Sequence, residues 1–354
     1  MTEERHTPPT RVALIGYGLA GKAFHAPLIR ATLGLELIAV ISSRTAEIAA
    51  DLPGVAVLET LERALDDPAV DLVVIATPDQ LHHPQALAAL SAGKHVVVDK
   101  PFAPSLPEAR EMAAQAERAG KLLAVFHNRR WDADFLTLKD LIVSGELGEI
   151  RQFESHFDRF RPAAGDRWKD RRASGVWQDL GPHLVDQAIQ LFGMPSAVLA
   201  DLAVQRPGGT AFNYAHVLLD QGPVKTILHM TQSAVANSLR FAVHGTRGSY
   251  VKHGLDPQED QSKAGIAPGD ADWAIDPLEG ELTRSLADGT TRTEAVANQR
   301  GDYLAFYRKL RTAIADGGTN PVPPEQALKV MAILAAGSES AVEQVWTAPT
   351  TEFG

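Results

Sequence analysis

The sequence predicts an α/β chain in which a doubly wound parallel sheet precedes an α+β domain with a large open, mainly antiparallel sheet. Three observations lead there. Apolar runs without alternation, separated by helix-like stretches, recur five times within about the first 125 residues, as strands covered on both faces do. A glycine-rich turn joins the first run to the first helix. After residue 126 the runs alternate polar and apolar and follow one another across short turns, the habit of antiparallel strands.

Residues 11–15 form the first strand and run into Gly16-Tyr17-Gly18-Leu19-Ala20-Gly21; residues 22–31 form the helix after it. Strand two is 35–41, followed by helical stretches at 45–50 and 61–65. Strand three, 71–76, stops at Thr77-Pro78; helix 83–92 closes at Gly93. Strand four, 95–98, stops at Asp99-Lys100-Pro101. Helix 108–119 has Gly120 just past its end, where a C-terminal cap favours glycine, and 121–126 is strand five. The second part opens with helix 134–143 and has strands at 151–160, 197–205, 212–220, 224–232 and 239–244. Residues 252–292, rich in Asp, Gly, Pro and Gln, read as an irregular insertion; helices 300–315 and 324–341 close the chain. The expected domains are 1–127 and 128–354, with the terminal helices free to pack back on the first.

Composition narrows the function. A length of 354 residues with 45% hydrophobic and 22% charged residues suits two globular cores. A net charge of −10 without a basic block disfavours nucleic acid and anionic membranes; the densest basic stretch, 167–172, is interrupted by Trp168 and Asp170. The absence of cysteine excludes disulfides, thiolate metal sites and a cysteine nucleophile. No apolar signal segment or membrane span is present, so the cytoplasm is the expected location.

An open α/β sheet binds its ligand at the carboxyl ends of its strands, so the residues there carry most information. In the glycine turn, Gly16 permits the tight bend, Gly18 lets backbone approach a pyrophosphate, and Gly21 lets helix and strand pack closely. The alternative is a glycine turn that binds nothing. Where an NAD-binding chain carries Asp or Glu at the end of strand two, this one reads Ser42-Ser43-Arg44. Two hydroxyls and a guanidinium suit a 2′-phosphate, so NADP is preferred and NAD is the alternative. Arg44 can equally be a solvated residue beginning the next helix.

Four separated motifs now stand in order: Gly16 to Gly21 followed by Phe24-His25-Ala26-Pro27; Ala76-Thr77-Pro78 with His82; Asp99-Lys100-Pro101; and Asp179-Leu-Gly-Pro-His183-Leu-Val-Asp186-Gln187. Together, over nearly the whole chain, they resemble the Gfo/Idh/MocA oxidoreductases, the group of glucose–fructose oxidoreductase and inositol dehydrogenase. The resemblance implies an N-terminal Rossmann domain, a C-terminal α/β domain with an open sheet, hydride transfer to or from a sugar, polyol or related small molecule, and self-association as a dimer or tetramer through the C-terminal sheet. Cofactor contacts then fall on the glycine turn including Tyr17, Leu19 and Ala20, on Ser42, Ser43 and Arg44, and on Thr77, Pro78, His82, Lys100 and Pro101. Lys100 matches the catalytic lysine, and Asp179 and His183 match the Asp-x-x-x-His pair. Two departures stand out: Asp99 replaces the usual Glu, and Trp177 brings bulk where small residues are common.

The residues support those roles independently. A lysine ending a buried strand on the ligand side can hydrogen-bond a substrate oxygen and stabilise alkoxide character; the alternative is a surface lysine beginning a loop. His183 suits general acid–base work because a free imidazole titrates near neutrality; the alternative is a structural histidine. Asp179 either supports His183 from one helical turn away or caps a helix starting near Pro182. Glu154, His156 and Asp158 share a strand face and are candidate substrate contacts, with Arg167, Trp168 and Trp177 weaker ones. No metal is expected at His82 and His83, which lack a third ligand nearby. A non-catalytic NAD(P)-sensing regulator and an NAD-retaining lyase or glycosidase are the rival functions; the intact Lys100, Asp179 and His183 oppose the first.

Overall fold

A computed structural model describes residues 8–163, 175–236 and 239–350. In chain order it begins β1 (Thr10–Ile15), then α1, a π turn over Gly21–His25 continuing as α-helix over Ala26–Arg30, then β2 (Leu35–Ile41) and α2 (Thr45–Asp51). β3 (Ala56–Leu58), α3 (Leu61–Leu65), β4 (Leu72–Ile75), α4 (His82–Ser91), β5 (His95–Val98), α5 (Leu106–Ala119) and β6 (Leu123–Val125) follow. Next come α6 (Ala133–Val143), β7 (Ile150–Asp158), α7 (Gly175–Asp179), α8 (Gly181–Phe192), β8 (Ala197–Ala203), β9 (Tyr214–Gln221), β10 (Val224–Thr231), β11 (Leu239–Gly245) and β12 (Gly248–His253). α9 (Gln258–Lys263), β13 (Gly280–Ser285), β14 (Thr291–Val296), α10 (Leu304–Asp316) and α11 (Pro324–Glu343) end the chain.

Two compact units result. The first holds the chain up to Asn128 together with Gln258–Trp273 and Asp302–Leu328; the second holds Arg129–Pro257, Ala274–Gly301 and the chain from Lys329. The first unit is a six-stranded sheet, all parallel, in the order β3-β2-β1-β4-β5-β6. This is the doubly wound order, with its switch point between β1 and β4. The sequence reading has five strands here. The sixth, β3, is a three-residue edge strand paired only with β2, too short for periodicity to reveal.

Local chemistry explains the helix ends. Ser105 caps α5 by accepting the Glu108 backbone N–H at 3.4 Å, and its hydroxyl donates to the Glu108 carboxylate at 2.6 Å. Gly120 ends that helix at φ +60°, in the left-handed region. α10 brings aromatic bulk into the core of this unit: Phe126 lies 4.4 Å from the ring of His25 and 4.9 Å from that of Phe306, and His25 Nδ1 meets the Tyr307 hydroxyl at 2.6 Å. Asn320 donates to the Leu123 carbonyl at 2.8 Å and Val125 N–H to the Val322 carbonyl at 3.2 Å, so a later segment covers the exposed edge of β6.

The second unit is an eight-stranded sheet in the order β14-β13-β12-β11-β7-β10-β9-β8. All pairs are antiparallel except β7–β10. Residues 252–292 are therefore not merely an irregular insertion: β13, α9 and the start of β14 fall within them. These strands escape an apolar-run criterion because they are polar. β14 reads Thr-Arg-Thr-Glu-Ala-Val and is held to β13 by a Thr283–Thr293 hydroxyl contact at 2.8 Å and an Arg284–Glu294 pair at 2.6 Å.

The alternation sorts the two faces. Phe153, Ser155 and Phe157 of β7 and Thr226, Leu228 and Met230 of β10 are buried on the side covered by α8. Glu154, His156 and Asp158, with Ile227 and His229, occupy the other side and are half-buried. Trp177 on α7 is fully buried between two glycines. A Cβ at Gly181 would lie 2.8 Å from its ring and one at Gly337 2.6 Å from it, while its indole N–H donates to the Leu334 carbonyl at 3.0 Å.

His25 makes stability depend on pH. Burial lowers its pKa from 6.5 to about 4, against an opposing pull from Asp99. The unfolded chain therefore takes the proton first, and stability is lost as pH falls from about 6.5 towards 4, by up to roughly 3 kcal/mol. Urea denaturation across that window should show this loss, and His25→Asn should show a shallower one than the wild type.

Candidate active site

The glycine turn sits at the carboxyl ends of β1, β2 and β4. Gly16 N–H donates to the Ile41 carbonyl at 3.0 Å, and Ala76 N–H to the Ile15 carbonyl at 2.8 Å. Gly16 has φ +93°, and a Cβ there would lie 2.6 Å from the Ala76 carbonyl oxygen. A Cβ at Gly21 would lie 2.1 Å from the Gly16 oxygen. Both glycines are thus demanded by the chain itself. Gly18 is different: a Cβ there meets nothing within 4 Å. Protein packing does not require glycine at 18, and the open space over it suits backbone approach by a phosphate at a helix start. The Tyr17 side chain turns away, 3% exposed, with its hydroxyl 3.2 Å from Asp51; Leu19 is 61% exposed.

Beside the turn, Ser42, Ser43 and Arg44 leave the end of β2. The Ser42 hydroxyl accepts the Arg44 backbone N–H at 3.2 Å. The Arg44 side chain, 56% exposed, pairs with Glu47 at 3.3 Å. Lys22 contacts Glu47 at 2.8 Å and Asp51 at 2.7 Å, and its hydrogen bonds hold both carboxyls below their ordinary range. The nearby carboxylates on α2 are therefore already matched by cations. A solvent-exposed pair such as Arg44–Glu47 is weak enough to exchange for an anion.

The remaining strand ends are tied by His82, which is 1% exposed. Its Nδ1 lies 2.9 Å from the Pro101 carbonyl and its Nε2 2.9 Å from the Thr77 carbonyl. It therefore links the ends of β4 and β5 rather than presenting a free nitrogen. Thr77 donates to Gln85 at 2.7 Å. Lys100 N–H donates to the Asp99 carboxylate at 2.7 Å, Lys100 itself is half-buried, and the Lys100–Pro101 bond is cis. Asp99 lies close enough to His25 and Tyr307 for its charge to raise both their pKa values, although burial dominates each. The glycine turn, the end of β2, Thr77 and Lys100 are thus gathered at one end of one sheet, where an open α/β fold receives a dinucleotide.

In the second unit, His183 stands in the first turn of α8. It is 6% exposed, with its ring nearly parallel to that of Phe157 at 6.4 Å. Asp179 ends α7, and the N-cap of α8 is Leu180, which makes no side-chain cap. Asp179 is therefore not the helix cap; it precedes His183 across the junction of two helices. Arg129 and Arg159 lie over the Phe157 ring, at 4.8 and 4.7 Å from its centre.

The placement of α8 rests on buried charge that sequence reading did not single out. Arg240, 1% exposed, donates to Asp134 at 2.9 Å, Ser155 at 2.8 Å, the His156 carbonyl at 3.3 Å and Gln187 at 2.7 Å. Arg130 grips Asp186 with two bonds, of 2.8 and 2.6 Å. Gln187 also donates to the Arg129 carbonyl at 2.8 Å. The pair Arg129-Arg130 directly after a buried strand was the available signal, since arginines there need buried partners.

Two groups of candidate substrate contacts have a definite place in the structure. Glu154, His156 and Asp158 share a face as alternation implies, but it is the face opposite Phe157 and α8, so they are not brought to His183. Period-two alternation groups residues without saying which face is covered. Trp177 fills a slot between two helices and is fully buried there. Arg167 and Trp168 lie outside the described residues.

Comparison with known proteins agrees with this geometry. Residues 10–127 match the model of the oxidoreductase family's NAD-binding Rossmann fold, and residues 139–348 match that family's C-terminal alpha/beta domain. An uncharacterized oxidoreductase of Escherichia coli, YdgJ, is 51% identical over 334 residues, covering 94% of this chain and 96% of that one. The scyllo-inositol 2-dehydrogenase (NADP(+)) IolW of Bacillus subtilis is 38% identical over 344 residues and 96% of each chain. The structure of the oxidoreductase YPO2259 of Yersinia pestis superposes with a TM-score of 0.93 at 46% identity, over 97% of each chain.

Removing the Arg240 guanidinium should leave Asp134 buried and unpaired. Arg240→Met is expected to lose about 3–5 kcal/mol in urea denaturation, and Arg240→Met with Asp134→Leu to recover part of it.

Proposed function

The chain belongs to the Gfo/Idh/MocA oxidoreductase family, and on that premise we propose an NADP-preferring dehydrogenase that acts on a ring hydroxyl of a cyclitol of the scyllo-inositol kind. It is an oxidoreductase with an NAD(P)-binding Rossmann domain, of the kind that works on CH–OH groups. One observation carries the preference for NADP: the strand end beside the glycine turn offers Ser42, Ser43 and an exposed guanidinium in place of a carboxylate, and the carboxylates of α2, Glu47 and Asp51, are paired with Arg44 and Lys22. The space over Gly18 supports placing the pyrophosphate on the turn. The substrate class is supported by likeness to IolW over 96% of both chains.

We assign the chemistry to residues as follows. The nicotinamide, when bound, accepts or supplies the hydride. The Lys100 ammonium donates a hydrogen bond to the substrate oxygen and stabilises its negative character. His183 takes the hydroxyl proton during oxidation and returns it during reduction. Asp179 orients His183 from the preceding helix. Copies of the chain associate through the open face of the second sheet, where Leu199, Leu218, Ile227 and Val251 are only half-buried; covering such a face is a usual reason for self-association. No helix among the described residues is long and apolar enough to cross a membrane.

The preference is tested by calorimetry with both cofactors. NADPH should bind at least tenfold more tightly than NADH, and Arg44→Ala should remove most of that margin, equivalent to about 1.4 kcal/mol. Equal affinities in the wild type would contradict it. The assignment of roles is tested with Lys100→Ala and His183→Ala. Both should fold and bind NADPH yet lose at least about a hundredfold in kcat on scyllo-inositol; undiminished turnover in both would overturn it.

A further inference from the structure

On the open face of the second sheet, three imidazoles stand side by side across three neighbouring strands. His229 on β10 is in register with His156 on β7 and with His216 on β9. The rings of His156 and His229 are 4.7 Å apart, and His229 Nδ1 is 3.2 Å from His216 Nδ1. Asp158, two residues along β7, lies between the first two: its carboxylate is 3.2 Å from His156 Nδ1 and 3.8 Å from His229 Nε2. The three side chains are sheltered without being sealed, at 15% exposure for His156, 6% for Asp158 and 17% for His229.

The far nitrogens are also held. His156 Nε2 is 2.7 Å from the Glu154 carboxylate, and its Nδ1 faces the carboxylate of Asp158 at 3.2 Å. His229 Nδ1 is occupied by His216. An imidazole nitrogen and a carboxylate at that distance share a cation, which is either a proton or a metal ion. Imidazoles whose second nitrogen is fixed by a carboxylate or a neighbouring group are the usual form of a metal-binding histidine, because the second contact sets the tautomer and the ring angle.

We propose that His156, Asp158 and His229 form a binding site for a zinc-type divalent transition metal ion, with Glu154 and His216 orienting the two imidazoles. The ligand atoms lie within 4.8 Å of one another. A tetrahedral zinc with bonds of about 2.0–2.1 Å spaces its nitrogen and oxygen ligands about 3.3 Å apart, close to the 3.2 Å between His156 Nδ1 and one oxygen of Asp158, whose other oxygen is 3.8 Å from His229 Nε2. Two nitrogens and one oxygen suit zinc, nickel or cobalt better than calcium or magnesium, which prefer all-oxygen sets. Three protein ligands leave a fourth position pointing away from the sheet. Because the cluster and His183 lie on opposite faces of the sheet, the ion has a structural place apart from hydride transfer.

The test is calorimetric titration of tag-free, chelator-stripped full-length protein with zinc, with bound metal counted by mass spectrometry. One zinc per chain at micromolar affinity or tighter is expected. His229→Gln and Asp158→Asn should each weaken it at least tenfold, and Glu154→Gln, which alters only the orienting partner, by tenfold or more. His244→Gln, on the same face outside the cluster, should change nothing. Cobalt substituted for zinc should show visible d–d bands that vanish in Asp158→Asn. Circular dichroism identifies any variant that fails to fold, and the proposal then stands or falls on the remaining ones. Failure to take up zinc would overturn it, as would uptake unchanged in every folded cluster variant.

Discussion

A single guanidinium decides how the second unit is put together. Arg240 lies 1% exposed beneath the sheet and spends its donors on α6 through Asp134, on β7 through Ser155 and the His156 carbonyl, and on α8 through Gln187. A buried ion pair contributes little net stability relative to an apolar substitute, but losing one partner is costly. Its value is geometric: only one arrangement of the helices and the sheet satisfies all four acceptors at once. That arrangement places α8 over the face carrying Phe153 and Phe157, so His183 sits against Phe157 in a largely dry setting. Arg130 and Asp186, the residue before Gln187, repeat the principle.

The first unit reaches its geometry by a different route. Its central strands need no buried charge because they are apolar on both faces and parallel to their neighbours. Parallel strands start at one end of the sheet and finish at the other, so every loop that follows a strand collects at the same edge. Gly16, Ser42, Thr77 and Lys100 are four such loop residues. His82 then fastens two of those loops to each other, and the cluster of His25, Phe126, Phe306 and Tyr307 packs close to Asp99. In both units, the candidate catalytic residues are held in place by contacts among their neighbours.

Much of this was legible in the residue pattern, for identifiable reasons. Continuous apolar runs ended by Thr-Pro or Lys-Pro mark parallel strands and their ligand-facing ends without reference to anything distant. Gly120 and Ser105 announce the limits of α5 through backbone demands that act within one turn. What escaped reading depends on long-range contact. β3 is strand only because β2 offers it hydrogen bonds, and β14 is strand only because β13 does. Glu154, His156 and Asp158 could be grouped from alternation, yet which side α8 covers is decided by Arg240, far away in sequence. Trp177 looked like bulk near a substrate until Gly181 and Gly337 were seen to make room for it. His82 and Asp179 had the right residue types at the right spacing, but a carbonyl on either side of one and a helix junction beside the other were not visible in the chain order.

The sheet of the second unit thus has two distinct faces, one holding His183 and the other a cluster of imidazoles and carboxylates. The account as a whole depends on the first unit binding a dinucleotide in order to move hydride, and isotopic transfer tests that most directly. Scyllo-inositol deuterated at its ring carbons is incubated with NADP and the protein, and the reduced cofactor is analysed by mass spectrometry. The account predicts deuterium on the nicotinamide ring of the NADPH formed. Reduced cofactor without the label, or no reduction with this or any other deuterated polyol despite tight NADP binding, would contradict it.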